Sequence, residues 1–176
     1  KLISHHEHNL HVAIPKLLSL LEEGESVALV SDAGYPAISD PGYEMVLATI
    51  DAGYNVVPLS GCNACLDALI VSGIAPQPFM FYGFLSHTNK NKTKELEKLK
   101  NITYTIVFYE APHRIKATLE CMMKVLGDRR IALCREITKK HEEILRGTIS
   151  EVLEVVDELK GEMVIVVEGG TEAAEE

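Results

Sequence analysis

Short apolar runs that alternate with longer amphipathic segments are the feature that most constrains the fold of this chain. From residue 14 to 73 the predicted order is helix, strand, loop, helix, strand, loop, helix. The two predicted strands, SVALV (26–30) and NVVPL (55–59), are short, apolar and rich in valine, as buried strands of a parallel sheet are. Strands that alternate with helices in this way indicate βαβ units with right-handed crossovers. The sequence therefore predicts an α/β protein.

The segment IAPQPF (74–79) holds two prolines in six residues, which excludes a helix or a central strand there. It is the predicted linker between an N-terminal α/β domain at 1–76 and a C-terminal α/β domain at 77–170. For the second domain the pattern predicts strands at 80–84, 103–110, 129–136 and 162–170, and helices at 87–100, 113–127 and 151–161. The polar tail 171–176 is predicted to be disordered.

Composition limits the classes of function. A chain of 176 residues that is 47% hydrophobic can bury a core, and no apolar run approaches the roughly 18 residues needed to span a bilayer. No signal-peptide pattern is present, so the sequence predicts a soluble protein. The absence of an initiator methionine suggests a fragment or a processed chain.

The net charge of −9 argues against nucleic-acid binding through overall charge, but it leaves local basic patches open. The segment NKNKTKELEKLK (89–100) concentrates five lysines: Lys90, Lys92, Lys94, Lys98 and Lys100. Two interpretations remain, a patch that contacts RNA phosphates and an ordinary exposed helix surface.

Two stretches raise the question of a metal or redox site. Cys62 and Cys65 form a CxxC pair, but Cys121 and Cys134 are not spaced as the second half of a zinc site. The run HHEHNLH (5–11) lacks the HExxH pattern of a helical zinc site. We therefore expect reduced structural thiols in a reducing cytoplasm, and no metal.

The loop SDAGYPAISDPG (31–42) directly follows the first predicted strand and is rich in turn-forming residues. Loops at the carboxyl ends of strands bind ligands in open α/β sheets, and this loop should lie beside the loop at 60–64. It lacks the glycine spacing of phosphate-binding turns, and the carboxylate of Asp32 suits an ammonium or hydroxyl group better than an anion. Asp40 is expected to cap the following turn or helix.

Two further stretches place charged side chains at predicted strand ends. In FYEAPHR (108–114), Glu110 and Arg114 form either a structural ion pair or part of a cleft wall, with His113 between them. In CREITKKHEE (134–143), Arg135 ends a strand, and the rest is expected to be a solvated charged loop.

Taken in order, these motifs resemble those of the bacterial ribosomal RNA small-subunit methyltransferase I family, within the tetrapyrrole methylase superfamily. The resemblance covers about Leu2 to Gly169 and rests on several segments in a fixed order: LISHHEHN, SDAGYPAISDPG, VVPLSGCNACLDALIVSGIA, FYGFLS, FYEAPHR, CREITKKHEE and GEMVIVVEG. It implies two α/β domains of the tetrapyrrole methylase type with a cofactor cleft between them. It also implies a cytoplasmic homodimer that transfers a methyl group from S-adenosylmethionine to the 2′-hydroxyl of a cytidine in small-subunit ribosomal RNA.

The resemblance also implies where the cofactor binds. The residues that would contact it are Asp32, Gly34, Tyr35, Gly61, Asn63 and Ala64 from the first two loops, and Tyr109, Glu110 and Arg135 from the second domain. Departures from the family pattern concern Tyr35, where the family has threonine, and residues 60–64, where it commonly has Pro-Gly-Pro-Ser-Ala. The family also begins with a strand and a Gly-Asn-Leu-Gly-Asp segment that this chain lacks, so we expect cofactor binding by the chain alone to be weakened or absent.

The catalytic base is not identified by the sequence. A ribose hydroxyl is a poor nucleophile at neutral pH, and a base within hydrogen-bond reach would assist its attack. Glu110 and His113 are candidates by their placement alone, and the base can equally lie in the missing segment. Two alternative functions stay open: methylation of a tetrapyrrole or another small acceptor, and a non-catalytic ligand-binding or dimerisation module.

Overall fold

The computed structural model describes residues 2–157 and 159–171. The chain divides into two compact units between Asn63 and Ala64. The predicted domain boundary at residues 76 and 77 stays a prediction. Of the tail predicted to be disordered, residues 172–176 lie outside the described residues.

The first unit contains two helices, α1 (Leu10–Glu22) and α2 (Tyr43–Asp51). Both were predicted, although α1 begins four residues before the expected start at Ile14. Pro15 lies inside this helix, beyond its first turn. Gly24, which has φ of 84°, follows the last turn and ends α1.

The two strands predicted for the first unit are wrong. Residues 26–30 and 55–59 form no strand in the structure, so the described residues of this unit contain no parallel sheet. A parallel strand has no partner close to it in sequence, and an apolar run becomes a strand only where another backbone lies alongside. Here Val30, Val57 and Leu59 are 76%, 75% and 80% exposed, so these runs are unpaired as well as unburied.

The second unit is built on one mixed sheet in the order β1-β2-β5-β3-β4. Its strands are β1 (Phe79–Phe84), β2 (Thr105–Glu110), β3 (Arg130–Arg135), β4 (Glu143–Thr148) and β5 (Met163–Val167). Among the described residues, the β1–β2 pairing alone is parallel, and the other three pairings are antiparallel. Four of these strands lie where the sequence predicts them, whereas β4 was not predicted.

In the described part of this unit, four α-helices accompany the sheet: α3 (Ala64–Val71), α4 (Asn89–Leu99), α5 (Ile115–Leu126) and α6 (Ile149–Leu153). The prediction of a helix over 151–161 is wrong beyond Leu153. Thr148 caps α6 through a capping box with Glu151, which starts the helix earlier than expected. Val156 is buried in the core although it lies beyond the end of α6. The apolar spacing that predicted a longer helix therefore reflects burial of Val156 from a non-helical segment.

The two faces of the sheet carry separate apolar cores. The larger core lies on the side of α4, α5 and α6 and includes Phe108, Leu133 and Ile165, all fully buried. The smaller core includes Val107 and Val166 together with buried residues of α3. Because side chains alternate along a strand, neighbouring residues of β2 enter different cores. No helix among the described residues is long and apolar enough to cross a membrane.

Candidate functional site

In the first unit the loops 31–42 and 60–63 are in contact. The backbone N–H of Gly61 donates a hydrogen bond to the Tyr35 hydroxyl at 2.9 Å. A Cβ on Gly34 would lie 3.3 Å from the Cys62 carbonyl oxygen, and Gly34 has φ of 70°. Only glycine meets both conditions without strain. The predicted proximity of these two loops is confirmed for the residues that meet here.

The loop 31–42 is fixed by its own backbone and side chains. The Ser31 hydroxyl donates to the carbonyls of Ala33 and Gly34 at 3.1 and 3.2 Å. Gly42 has φ of 150°, and a Cβ there would come within 2.9 Å of a Leu29 methyl carbon. The loop is thus a bonded, close-packed turn rather than an open connection.

The two aspartates of this loop are both exposed. The prediction that Asp40 caps the next helix is wrong for α2, because Gly42 is its N-cap residue and no side chain bonds to it there. Among the described residues, no hydrogen bond or ion pair is found for Asp32, so its carboxylate is available to a ligand.

In the second unit Tyr109 and Ala64, the first residue of α3, are both partly buried and pack against the smaller core. The Tyr109 ring contacts Phe81 and Phe84 edge to face, with centroids 4.9 and 5.6 Å away. Glu110, the next residue of β2, points to the opposite face, towards α4 and α5. The residues predicted to contact one cofactor therefore occupy both faces of the sheet.

Glu110 is held in a buried hydrogen-bond network. Its Oε1 accepts the Ala111 N–H at 2.8 Å and lies 3.2 Å from Arg114 Nε, and its Oε2 accepts the Thr118 hydroxyl at 2.5 Å. Thr118 Oγ1 in turn accepts a hydrogen bond from Lys92 Nζ at 2.7 Å. Of the two interpretations of Glu110 and Arg114, the ion pair is the one found in the structure.

Arg114 links this network to the turn that follows β1. Its Nη2 donates to the carbonyls of Leu85 and Ser86 at 2.7 and 3.1 Å, and its Nη1 lies 2.9 Å from His87 Nδ1. His113 is exposed, and no hydrogen bond is found for it among the described residues. The motif FYEAPHR thus holds the ends of β1 and β2 together and leaves one histidine free.

Arg135 occupies the same edge of the sheet as Glu110. Both residues pair with Met163 in the ladder, one from each side of β5. Arg135 Nε donates to Glu143 Oε2 at 2.9 Å, and its Nη1 donates to the Lys160 carbonyl at 3.2 Å. Its guanidinium is therefore already engaged within the protein.

The segment after Arg135 is more ordered than the predicted solvated loop. Glu136, which has φ of 49°, accepts the Glu162 N–H at 2.8 Å, and Lys139 lies 3.2 Å from its Oε1. These two donors lower the pKa of the Glu136 carboxyl, the backbone N–H being the stronger. Lys139 also contacts Glu162 at 2.7 Å, so the segment is closed by ion pairs at the surface.

The four cysteines are free thiols. Cys62 is exposed, whereas burial raises the pKa of Cys65 and of Cys134 to about 11. Both buried thiols are therefore protonated, unreactive apolar groups at neutral pH. Within residues 2–157 and 159–171, no three histidine, cysteine or acidic side chains lie close enough together to hold a metal ion.

Sequence reasoning missed Lys92 and Thr118, which are 1% and 0% exposed. Both interpretations of the lysine-rich segment, the RNA-contacting patch and the ordinary helix surface, treat Lys92 as exposed like its lysine neighbours. A usable signal existed, because Lys92, Leu96 and Leu99 are spaced i, i+4 and i+7 and share the buried face of α4.

The chain belongs to the tetrapyrrole methylase family, because the family model described as Tetrapyrrole (Corrin/Porphyrin) Methylases matches residues 4–153. Several solved structures share its fold. The methyltransferase CobJ gives a TM-score of 0.67 at 19% identity, over 93% of this chain and 72% of its own. A diphthine synthase gives 0.64 at 12% identity, over 94% and 68%.

Curated relatives are similar over nearly the whole chain. The ribosomal RNA small subunit methyltransferase I of Bacillus subtilis (strain 168) is 57% identical over 170 residues, which is 96% of this chain and 58% of the relative. The protein of the same name from Synechocystis sp. (strain ATCC 27184 / PCC 6803 / Kazusa) is 44% identical, over 96% of this chain and 62% of its own. The chain thus spans about three fifths of the length of these relatives.

Proposed function

We propose that this chain is part of an S-adenosylmethionine-dependent 2′-O-methyltransferase that acts on a cytidine of bacterial small-subunit ribosomal RNA. The observation that carries the proposal is the 57% identity, over 96% of the chain, to a relative named ribosomal RNA small subunit methyltransferase I. The matched region spans 170 of the 176 residues of the chain, so the candidate contacts belong to the part of the chain that is similar. A cytoplasmic homodimer, implied by the resemblance to the family, completes the proposal.

S-adenosylmethionine fits the chemistry of the first unit. Its methionine part carries an ammonium group, and the exposed carboxylate of Asp32 beside the glycine-rich turn is a suitable partner. A uroporphyrin-III C-methyl transferase of the same fold was crystallised with S-adenyl homocysteine, which supports this cofactor class. The proposed contacts in the first unit are Asp32, Gly34, Tyr35, Gly61 and Asn63.

In the second unit the proposed contacts are Ala64, Tyr109, Glu110 and Arg135. Tyr109 and Ala64 lie on the α3 side of the sheet, and the aromatic edge contacts of Tyr109 fix its ring. The carboxylate of Glu110 and the guanidinium of Arg135 are engaged by the protein. We therefore assign their contribution to the backbone at the ends of β2 and β3.

Methyl transfer is an in-line displacement at the sulfonium methyl carbon. The ribose 2′-oxygen forms the new bond, the carbon–sulfur bond breaks with its electron pair on sulfur, and the hydroxyl proton passes to a base. Of the two candidate bases, Glu110 is buried and bonded to Thr118, whereas His113 is exposed and free among the described residues. His113 is therefore the better placed of the two to accept a proton.

The direct test uses small ribosomal subunits from cells that lack the full-length protein. After incubation with that protein and methyl-labelled cofactor, we expect label in the ribosomal RNA, resistant to alkaline hydrolysis at a cytidine. Label in a tetrapyrrole but not in RNA would reject this function in favour of the small-acceptor alternative. Failure of the full-length protein to bind the cofactor by calorimetry would instead favour the non-catalytic module.

The role of Asp32 is tested by Asp32→Asn in the full-length protein. Loss of the charge opposite the cofactor ammonium should weaken cofactor binding about tenfold, as for the loss of one exposed charge contact. Calorimetry with S-adenosylmethionine measures the change. Asp40→Asn is the matched control, because Asp40 is equally exposed in the same loop and should leave the affinity unchanged. Equal effects of the two variants would contradict the assignment.

A further inference from the structure

Three lysines form a straight row on the exposed side of α4. Lys90, Lys94 and Lys98 are spaced four residues apart, and all three are exposed. The opposite side of the helix, with Lys92, Leu96 and Leu99, is buried against the sheet and α5. We call Lys90, Lys94 and Lys98 the lysine stripe. Packing of the buried side fixes the direction in which the stripe faces.

The lysine stripe is unpaired within the protein. Among residues 2–157 and 159–171, no ion pair or hydrogen bond involves the side chain of Lys90, Lys94 or Lys98. By contrast, Lys116 and Lys139 are each held by a carboxylate. The stripe is therefore free to bind an anion.

The stripe is also unfavourable for the isolated helix. Like charges spaced i, i+4 repel, and lysine in a first turn opposes the helix dipole. The first turn of α4 contains no acidic residue, and Glu97 is the exposed acid beside the stripe. Five of the twelve lysines in this acidic chain lie within residues 90–100. Such a concentration is better explained by an anionic partner than by solubility.

Its geometry fits a linear polyanion. Four residues of helix advance about 6 Å along the axis, so the three ammonium groups follow a line about 12 Å long. A single phosphodiester strand presents evenly spaced negative charges along such a line. We propose that the lysine stripe contacts the backbone of the ribosomal RNA substrate, away from the reacting ribose. This inference rests on the proposed function and adds a docking surface to it.

The test is the salt dependence of RNA binding by the full-length protein. Binding to naked small-subunit ribosomal RNA is measured from about 50 to 200 mM salt, where counterion release dominates. Lys90→Gln/Lys94→Gln/Lys98→Gln should reduce the slope of log affinity against log salt by about 2 to 3, because each phosphate contact contributes roughly 0.7 to 0.9. At fixed salt we expect a loss of affinity of roughly tenfold or more.

Two matched controls test whether the change in slope depends on the charge of the lysine stripe and on its position in the protein. Replacing the same three residues by arginine keeps the charge and should keep the slope. Lys16→Gln/Lys124→Gln/Lys140→Gln removes the same charge from three other lysines that are exposed and unpaired among the described residues, and it should also keep the slope. Circular dichroism checks that α4 remains folded, and cofactor affinity should be unchanged in every variant.

The outcomes are distinguishable from those of the proposed function. If the glutamine variant keeps the wild-type slope while the wild type still methylates ribosomal RNA, the stripe proposal is overturned and the function stands. If the stripe variant loses binding to polyglutamate instead of RNA, the partner is an acidic protein and the proposal is again overturned. In a third outcome, the glutamine variant lowers the salt slope of RNA binding, but the wild-type protein methylates only a tetrapyrrole. This outcome would reject the proposed function and leave the RNA contact of the lysine stripe in place.

Discussion

Replacing Thr118 by valine is expected to destabilise the second unit by about 3 kcal/mol, because it leaves two buried charged groups without their shared partner. The Thr118 hydroxyl accepts a hydrogen bond from Lys92 Nζ at 2.7 Å and donates one to Glu110 Oε2 at 2.5 Å. Lys92 is 1% exposed, and Thr118 is the hydrogen-bond partner found for its ammonium group among the described residues. Water cannot replace the lost hydroxyl at such a site without rearrangement of the core.

The free energy of unfolding of the second unit is measured by denaturant unfolding, with hydrogen exchange of the β2 amides as the probe. Thr118→Ser keeps the hydroxyl and should cost only about 1 kcal/mol for the lost methyl group. Lys92→Met combined with Thr118→Val removes the buried ammonium as well, and it should restore part of the stability lost in the single variant. Similar losses for the valine and serine variants would show that packing, not the hydrogen bonds, is responsible.

Gly169→Ala is expected to destabilise the same unit by about 3 kcal/mol, since the new methyl group would overlap with backbone. A Cβ at Gly169 would lie 2.0 Å from the Thr103 carbonyl oxygen and 2.6 Å from the Tyr104 nitrogen. The next residue, Gly170, donates to the Ile102 carbonyl at 2.7 Å, so the segments on both sides are tied together. Neither can move away without loss of that bond.

Gly147→Ala is the control for this variant. A Cβ at Gly147 would come within 2.5 Å of Glu151 Oε2, but that atom is the end of a flexible side chain. The expected cost is therefore about 1 kcal/mol, the value of the capping contact that Glu151 makes to Thr148. Equal losses for the two alanine variants would mean that the backbone near Thr103 yields more easily than the structure indicates.

Most of the second unit could be predicted from the sequence, because the residue composition and spacing within each of its helices and strands indicate its secondary structure. The run around Phe108 is apolar and β-branched, and the buried residues of α5 recur with helical spacing. The prediction failed for β4, where a glutamate, an arginine and a glycine break the apolar pattern of an edge strand. It also failed for 26–30 and 55–59, because a strand depends on a neighbour that the local pattern does not contain.

The candidate site was predictable in its loops but not in its buried chemistry. The glycines and prolines of 31–42 indicate a tight turn, and Tyr35 and Gly61 are indeed joined there. The hydrogen-bond network around Glu110 was not predicted, because a lysine in a lysine-rich helix is expected to be exposed. Its burial becomes evident only when its position around the helix axis is compared with those of the apolar residues. Charge alone cannot distinguish Lys92, which is buried, from Lys94, which is exposed, whereas the i, i+4, i+7 spacing of Lys92 with Leu96 and Leu99 can.

The central position of β5 has a consequence for synthesis of the protein. All five residues of β5 are buried, and this strand separates β2 from β3, which do not pair with each other. Before residue 167 leaves the ribosome, the sheet of the second unit can form only as two separate pieces, the β1-α4-β2 unit and the β3-β4 hairpin. Each piece then exposes an unpaired strand edge. The five-stranded sheet can therefore be completed only after β5 has been translated. Until then the unpaired strand edges are exposed and can aggregate.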